Sequence, residues 1–212
     1  FLGGLIVLLL SFFLFPELTS LEIRKINIIV GVWFLIFSLP AIIFLKDKKR
    51  SKFKFIYIKE AFKSIRNTFK SISRYKLILQ FLLARLFFND ALITIFALGG
   101  IYAVGSLDFS LNEVMILGIV LNIAAGIGSL CFGYIEDKIG VVNVIKLSLI
   151  VLIFSTLLAY LAPYFENGKD LFWISGIILG LMAGPNQSCS RSLMASLTPK
   201  ERQSEFFGFF AL

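Results

Sequence analysis

The chain has 212 residues, 58% of them apolar and 15% aromatic, whereas soluble domains are roughly half apolar and carry about a quarter charged residues against 16% here. That balance excludes a water-soluble globular protein and points to the bilayer. The net charge of +8 does not mark a nucleic-acid surface either, because 12 of the 21 Lys and Arg fall between Lys46 and Lys76.

A bilayer core of about 30 Å takes roughly 20 apolar residues as helix. Five complete spans meet that length, at about 26–45, 77–102, 112–135, 143–162 and 171–190. Residues 1–15 and 206–212 are apolar enough to be parts of two more. The chain opens on Phe1 and stops within FFGFFAL, so the expectation is a fragment of a longer polytopic chain. The fold class expected is therefore all-α, a multi-pass membrane protein.

Residues 46–76 form the one long connection. Within it Phe55, Ile58, Phe62, Ile65, Phe69 and Ile72 recur at helical spacing, with Lys59, Lys63, Arg66, Lys70 and Arg74 on other faces. This predicts a basic amphipathic helix over about 54–76. Two placements stand: in the inner leaflet beside anionic lipids, or packed as a linker beneath the bundle. Basic loops stay on the cytoplasmic side, so 46–76 is placed inside, and alternation puts 136–143 and 191–205 there too. The outward loops 103–111 and 163–170 hold a single basic residue, Lys169; the loop 16–25 departs from the pattern with Arg24 and Lys25. Ser110-Leu-Asn-Glu113 and Thr198-Pro-Lys-Glu201 carry capping-box spacing and predict helix starts.

Chemistry by cofactor or metal finds no support. Gly168-Lys169 lacks the glycine and hydroxyl residue of a phosphate loop, and the chain has no histidine. Cys131 and Cys189 each lie within an apolar span and read as small buried side chains. An enzyme is not expected, nor is a cofactor, a metal or a nucleic-acid partner.

Polar groups at membrane depth are the informative residues, since charges there cost several kcal/mol and face protein or a water-filled cavity. Arg85, Asn89 and Asp90 fall within six residues of one span. At about 1.5 Å per residue Asp90 lies about 20 Å along it, near mid-membrane. Arg85 and Asp90, five residues apart, diverge around the helix and do not pair with each other. Asp90, Thr94 and Ala97 form a small or polar stripe, whereas Arg85 and Asn89 share a neighbouring face. Two readings follow: Asp90 accepts a proton or cation while Arg85 meets an anionic solute group, or both are interhelical ion-pair members that fix packing. Gly176, Gly180 and Gly184 predict a smooth face for close helix approach, and Gly118, Asn122 and Gly126 predict another. Asn122 reads either as interhelical glue or as a cavity residue.

Gly133-Tyr-Ile-Glu-Asp137-Lys138-Ile-Gly140 resembles the loop motif of the major facilitator superfamily, although Val141, Val142 and Asn143 stand where basic residues often follow. GPNQSCSRS (184–192), EFFGFF (205–210) and LARLFFNDALITIFALGGIYA (83–103) resemble the branch that includes the autophagy-related vacuole effluxers and their bacterial relatives. In that branch a Gln is followed by Ser-Arg-Ser near the inner end of a span, and an Asn-Asp pair lies in the span after the central loop; Pro185 departs from the pattern. The resemblance implies a twelve-helix bundle of which this chain carries the fifth to the eleventh span. Residues 1–45 then end the first helical half, 46–76 are the central loop, and 77–212 belong to the second half. It further implies a secondary transporter for a small polar solute, with an amino acid as the first choice, driven by a proton or ion gradient. A bacterial cytoplasmic membrane is the expected location. The alternative class is a nontransporting membrane protein, a lipid scramblase or sensor, in which the intramembrane charges are structural.

On this reading the solute and coupling set is Arg85, Asn89, Asp90, Thr94, Asn122 and Gln187, and the inner gate is Asp137, Lys138, Gly140, Pro185 and Arg191. Pro185 removes one backbone donor and frees the Leu181 carbonyl for a polar partner or an ion. Gln187 and Arg191 share a face, the first toward the cavity and the second at the rim, and Asp137 is expected to pair with Arg191. The competing reading of 184–192 is a helix terminus solvated by serines and anchored by one arginine.

Overall fold

The computed structural model describes residues 2–16, 19–45 and 75–211, and among these the regular elements are all helical. In chain order they are α1 (Leu2–Leu14), α2 (Ser20–Phe44), α3 (Lys76–Leu107), α4 (Leu111–Ile139), α5 (Val141–Leu161) with a 3-10 turn at Ala162–Tyr164, α6 (Gly168–Leu197), a 3-10 turn at Lys200–Arg202 and α7 (Gln203–Phe210). Among the described residues four stretches are long and apolar enough to cross a membrane: Leu21–Phe44, Lys76–Leu107, Leu111–Ile139 and Val141–Tyr164. The predicted basic helix at 54–76 falls almost entirely outside the described residues.

The fifth expected span, α6, is as long as its neighbours but more polar, and it starts at Gly168 and continues to Leu197. It is also the helix with the most buried positions, because α4 and α5 pack along it and α3 crosses it. A helix enclosed by protein rather than lipid does not need an apolar surface all round.

Local chemistry sets the ends. Ser110 and Glu113 close the predicted capping box, with Ser110 Oγ accepting from the Glu113 N–H at 3.2 Å and the Ser110 N–H donating to Glu113 Oε2 at 2.7 Å. Thr19 and Glu22 form a second box and start α2 at Ser20 rather than near residue 26. The loop expected at 136–143 shrinks to Gly140, whose φ of 84° and ψ of 150° suit glycine alone, and α5 begins at the next residue. Thr198 corrects the other capping expectation: its hydroxyl donates back to the Met194 carbonyl at 2.7 Å, and α-helix resumes only at Gln203.

The glycine face of α6 is a packing surface. A methyl on Gly176 would meet Leu117 Cδ1 at 3.0 Å, one on Gly180 would meet the Leu121 carbonyl at 2.7 Å, and one on Gly184 would overlap the Ala125 carbonyl. The second predicted glycine face behaves differently. A methyl on Gly118 would lie at an ordinary 3.9 Å from Leu8 of α1 and one on Gly126 would meet open space, while Gly128, two residues further on and on the other side of the helix, makes the close approach to α6. On the opposite flank, Ser155 and Ser175 donate to each other's backbone carbonyls at 2.7 and 2.8 Å and tie α5 to α6. An aromatic cluster of Tyr102, Phe109, Phe172 and Trp173 closes the core at the α3–α4 turn.

Candidate functional site

A cleft of about 910 Å³ opens among the C-terminal half of α3, the start of α4, and the facing stretches of α5 and α6. Its wall is mostly aliphatic and aromatic, with hydroxyl-bearing side chains contributed by Thr94, Tyr102, Thr156, Tyr160 and Ser175. Of the six residues expected to handle solute or coupling ion, Thr94 alone lines it.

Asp90 lies one turn before Thr94 on the exposed side of α3, opposite the face on which Leu92 is buried. It has no hydrogen bond or ion pair among the described residues, so neither Arg85 nor any other described cation neutralises it. The half-buried Asn89 is likewise without a hydrogen bond. Arg85 is engaged elsewhere. Its guanidinium donates to the Phe210 carbonyl, lies 3.5 Å from the centre of the Phe210 ring, and so joins α3 to α7.

Asn122 sits away from both groups. Its amide donates to the Gly118 carbonyl of its own helix at 2.9 Å, and its oxygen faces Gly4 of α1. Gln187 and Arg191 are exposed on one face of α6, as their spacing of four residues predicts. Asp137 and Lys138 are exposed at the end of α4, and neither forms an ion pair among the described residues; Asp137 and Arg191 are not joined in this structure. The bond at this place is made one residue earlier, by Glu136 Oε2, which accepts from the buried Cys189 thiol at 3.2 Å.

The helix does not end at Pro185. α6 passes through it with the ring fully buried, and the carbonyl of Leu181, four residues earlier, loses its intrahelical donor. A methyl on Gly128 would overlap that carbonyl, so the glycine brings its Cα hydrogens against the oxygen. A Cα–H···O contact is a weak substitute for the missing N–H, and it takes the place of the ion or polar partner expected there.

A family model described as "Vacuole effluxer Atg22 like" matches residues 1–212. The chain belongs to the Atg22-like vacuole effluxer family. It is 26% identical over 182 residues to the "Uncharacterized MFS-type transporter YxiO" of Bacillus subtilis, covering 86% of this chain and 41% of that protein. To "Autophagy-related protein 22-1" of Neosartorya fischeri it is 22% identical, covering 92% of this chain and 36% of the relative. To "Autophagy-related protein 22" of Vanderwaltozyma polyspora it is 24% identical, covering 98% and 45%. The chain thus spans about two fifths of the length of the curated relatives it matches. No solved structure matches.

Within this Atg22-like chain, the residues that sequence reasoning passed over are those buried between helices. Asn186, beside the singled-out Gln187, is 1% exposed and donates to Ser148 Oγ of α5 at 2.9 Å. Ser190 is as deeply buried, and its hydroxyl has no partner. The spacing of Asn186 and Ser190, four apart, was the available signal; their order next to Gln187 and Arg191 leaves two polar faces on one helix, one buried and one exposed. Among the described residues no group of three or more Cys, Asp or Glu side chains is placed to hold a metal ion.

Proposed function

We propose that the protein is a secondary active transporter that carries a small polar solute, an amino acid, across its membrane by alternating access, coupled to a proton or ion gradient. The observation that carries this reading is Asp90, an unpaired carboxylate near the middle of a membrane-length helix, one turn from Thr94 and the cleft. Leaving such a charge unpaired costs several kcal/mol, and a proton or cation that binds and leaves recovers that cost in one half of a cycle. The printed names of the relatives, an MFS-type transporter and autophagy-related proteins 22, support the same class. Gln187 and Arg191 supply polar contacts on the exposed face of α6, and the region around Pro185 and Gly140 is the inner gate. The positive charge of 46–76 supports a cytoplasmic place for that loop, anionic lipids are proposed as partners of 54–76, and a bacterial cytoplasmic membrane is the proposed location.

Solute flux into proteoliposomes, with and without an imposed pH or sodium gradient, tests the reading. The expected result is gradient-driven uptake that Asp90→Asn makes insensitive to the gradient. Gradient-dependent uptake that survives Asp90→Asn unchanged removes the coupling role. A second reading, a lipid scramblase, draws on the apolar lining of the cleft. It predicts no solute uptake and rapid exchange of fluorescent lipid between leaflets, with Asp90→Asn having no effect on that exchange.

A further inference from the structure

The two halves of α6 are fastened differently. Before Pro185 the backbones approach most closely: Gly180 and Gly184 lie against the Leu121 and Ala125 carbonyls of α4, and the Ser155 and Ser175 hydroxyls each bond the other's backbone carbonyl. After Pro185 the polar ties are made by side chains, Asn186 to Ser148 at 2.9 Å and Cys189 to Glu136 at 3.2 Å, and Ser190 keeps an unpartnered hydroxyl. Apolar contacts from Val144, Ile145 and Met194 complete the hold. Between the halves one rung of the helix ladder is missing, with Gly128 lying over the bare Leu181 carbonyl.

We propose that Glu136 and Cys189 form a clasp that holds the C-terminal arm of α6, residues 186–197, shut against α4, and that the arm opens about Pro185 by releasing it. The proposal rests on the gate reading of Pro185 given above and adds the bond that has to break. A thiol is a weak donor, and Glu136 has no cation paired with it among the described residues. The half-buried carboxylate regains water when the arm leaves, so breaking the clasp costs only the small net strength of one hydrogen bond. Gln187 and Arg191 ride on this arm, so its opening moves both rim side chains together. Cys189 is 1% exposed when the clasp is closed, which makes its own sulfur the reporter.

The test is the rate of alkylation of Cys189 by N-ethylmaleimide in the purified chain, with Cys131→Ala removing the exposed thiol. Ser188→Cys in a chain lacking both native cysteines is the exposed reference. In the closed clasp Cys189 reacts far more slowly than that reference. Glu136→Leu should raise the Cys189 rate about three- to tenfold, the range given by losing one hydrogen bond in which the charged acceptor offsets the weak thiol donor. Glu136→Gln, which retains an acceptor oxygen and the side-chain shape, should fall between, and Pro185→Ala, which restores the rung, should slow the reaction. Tyr134→Leu, at an exposed site two residues before Glu136, should leave the rate unchanged. Cys189 reacting as fast as the reference, or a rate that neither Glu136 variant raises, overturns the clasp; the Gln variant decides if the Leu variant fails to fold. Alkylation does not depend on a known solute. Absent flux with a responsive Cys189 therefore counts against the transport reading, and flux with an unresponsive Cys189 counts against the clasp.

Discussion

Gly184→Ala is the sharpest perturbation that the helix packing permits. The added methyl would lie 2.5 Å from Ser129 Oγ and overlap the backbone carbonyl of Ala125. The serine can rotate, although at the cost of its bond to that same carbonyl at 2.8 Å, but the carbonyl is part of the α4 ladder and moves only if the two helices separate. Overpacking of this kind costs about 1–3 kcal/mol, and an obstacle made of backbone places the substitution at the upper end. Replacing a helical glycine returns about 1 kcal/mol of propensity, leaving a net loss of about 2 kcal/mol. For a chain of this size that is a fall of about 4–8 °C in the unfolding midpoint. Gly126→Ala is the matched control, since it lies on a partner helix with nothing within 4 Å and keeps only the propensity gain. Thermal unfolding in one detergent, followed by size-exclusion fluorescence, reads both variants. If Gly184→Ala shifts the midpoint no further than Gly126→Ala, the close approach of α4 and α6 described above is wrong.

The other predictions concern single contacts. Ser155→Ala and Ser175→Ala should each cost about 0.6 kcal/mol, at most about 1.7, as interhelical hydrogen bonds in membranes do, and the losses should nearly add because each hydroxyl bonds a backbone carbonyl that the other substitution leaves in place; no loss in either variant by thermal unfolding contradicts the reciprocal pair. Ser110→Ala should cost about 1 kcal/mol through the lost cap of α4, more than Lys169→Met, whose exposed pair with Glu113 at 3.3 Å contributes less than about 1 kcal/mol and fades in high salt. Gly140→Ala forces a side chain into a backbone region reserved for glycine and should cost about 1–3 kcal/mol, measured as the same midpoint shift.

How legible this was depends on which faces of a helix the sequence reveals. Span lengths follow from apolar runs because lipid imposes a uniform demand on α2, α3, α4 and α5, and each of these appears where the composition places it, give or take its caps. Thr19 and Glu22 moved one start by six residues with the same two-residue signature that was recognised at Ser110, so that difference was readable. The Atg22-like family was legible from 83–103, 184–192 and 205–210, because those motifs are local strings rather than spatial arrangements. The site was less so. Arg85, Asn89, Asp90, Asn122 and Gln187 were grouped by membrane depth, and depth does not fix azimuth or partner. Arg85 turns to Phe210, Asn122 to its own helix, and Asp90 to neither.

The stretch 184–192 shows why polarity alone misleads at a helix–helix contact. A run of proline, amides and serines is expected to end a helix when the alternative is lipid, since each group then lacks a partner. Here the alternative is another helix. Gly184 meets the Ala125 carbonyl, Asn186 finds Ser148 and Cys189 finds Glu136, so three of these positions are accommodated by partners 38 to 59 residues away in sequence, and Pro185 lies buried among them. Partners at that separation leave no local trace, which is why Asn186 escaped notice beside Gln187. The same fact makes the assignment testable by substitution in pairs. Asn186→Leu alone should destabilise the chain by about 1–3 kcal/mol, because Ser148 keeps a buried lone pair without a donor. Combined with Ser148→Ala, which leaves two apolar surfaces in contact, most of that loss should return. A double variant no more stable than Asn186→Leu, in the same unfolding assay, refutes the pairing and with it the view that α6 is polar because protein, not lipid, surrounds it.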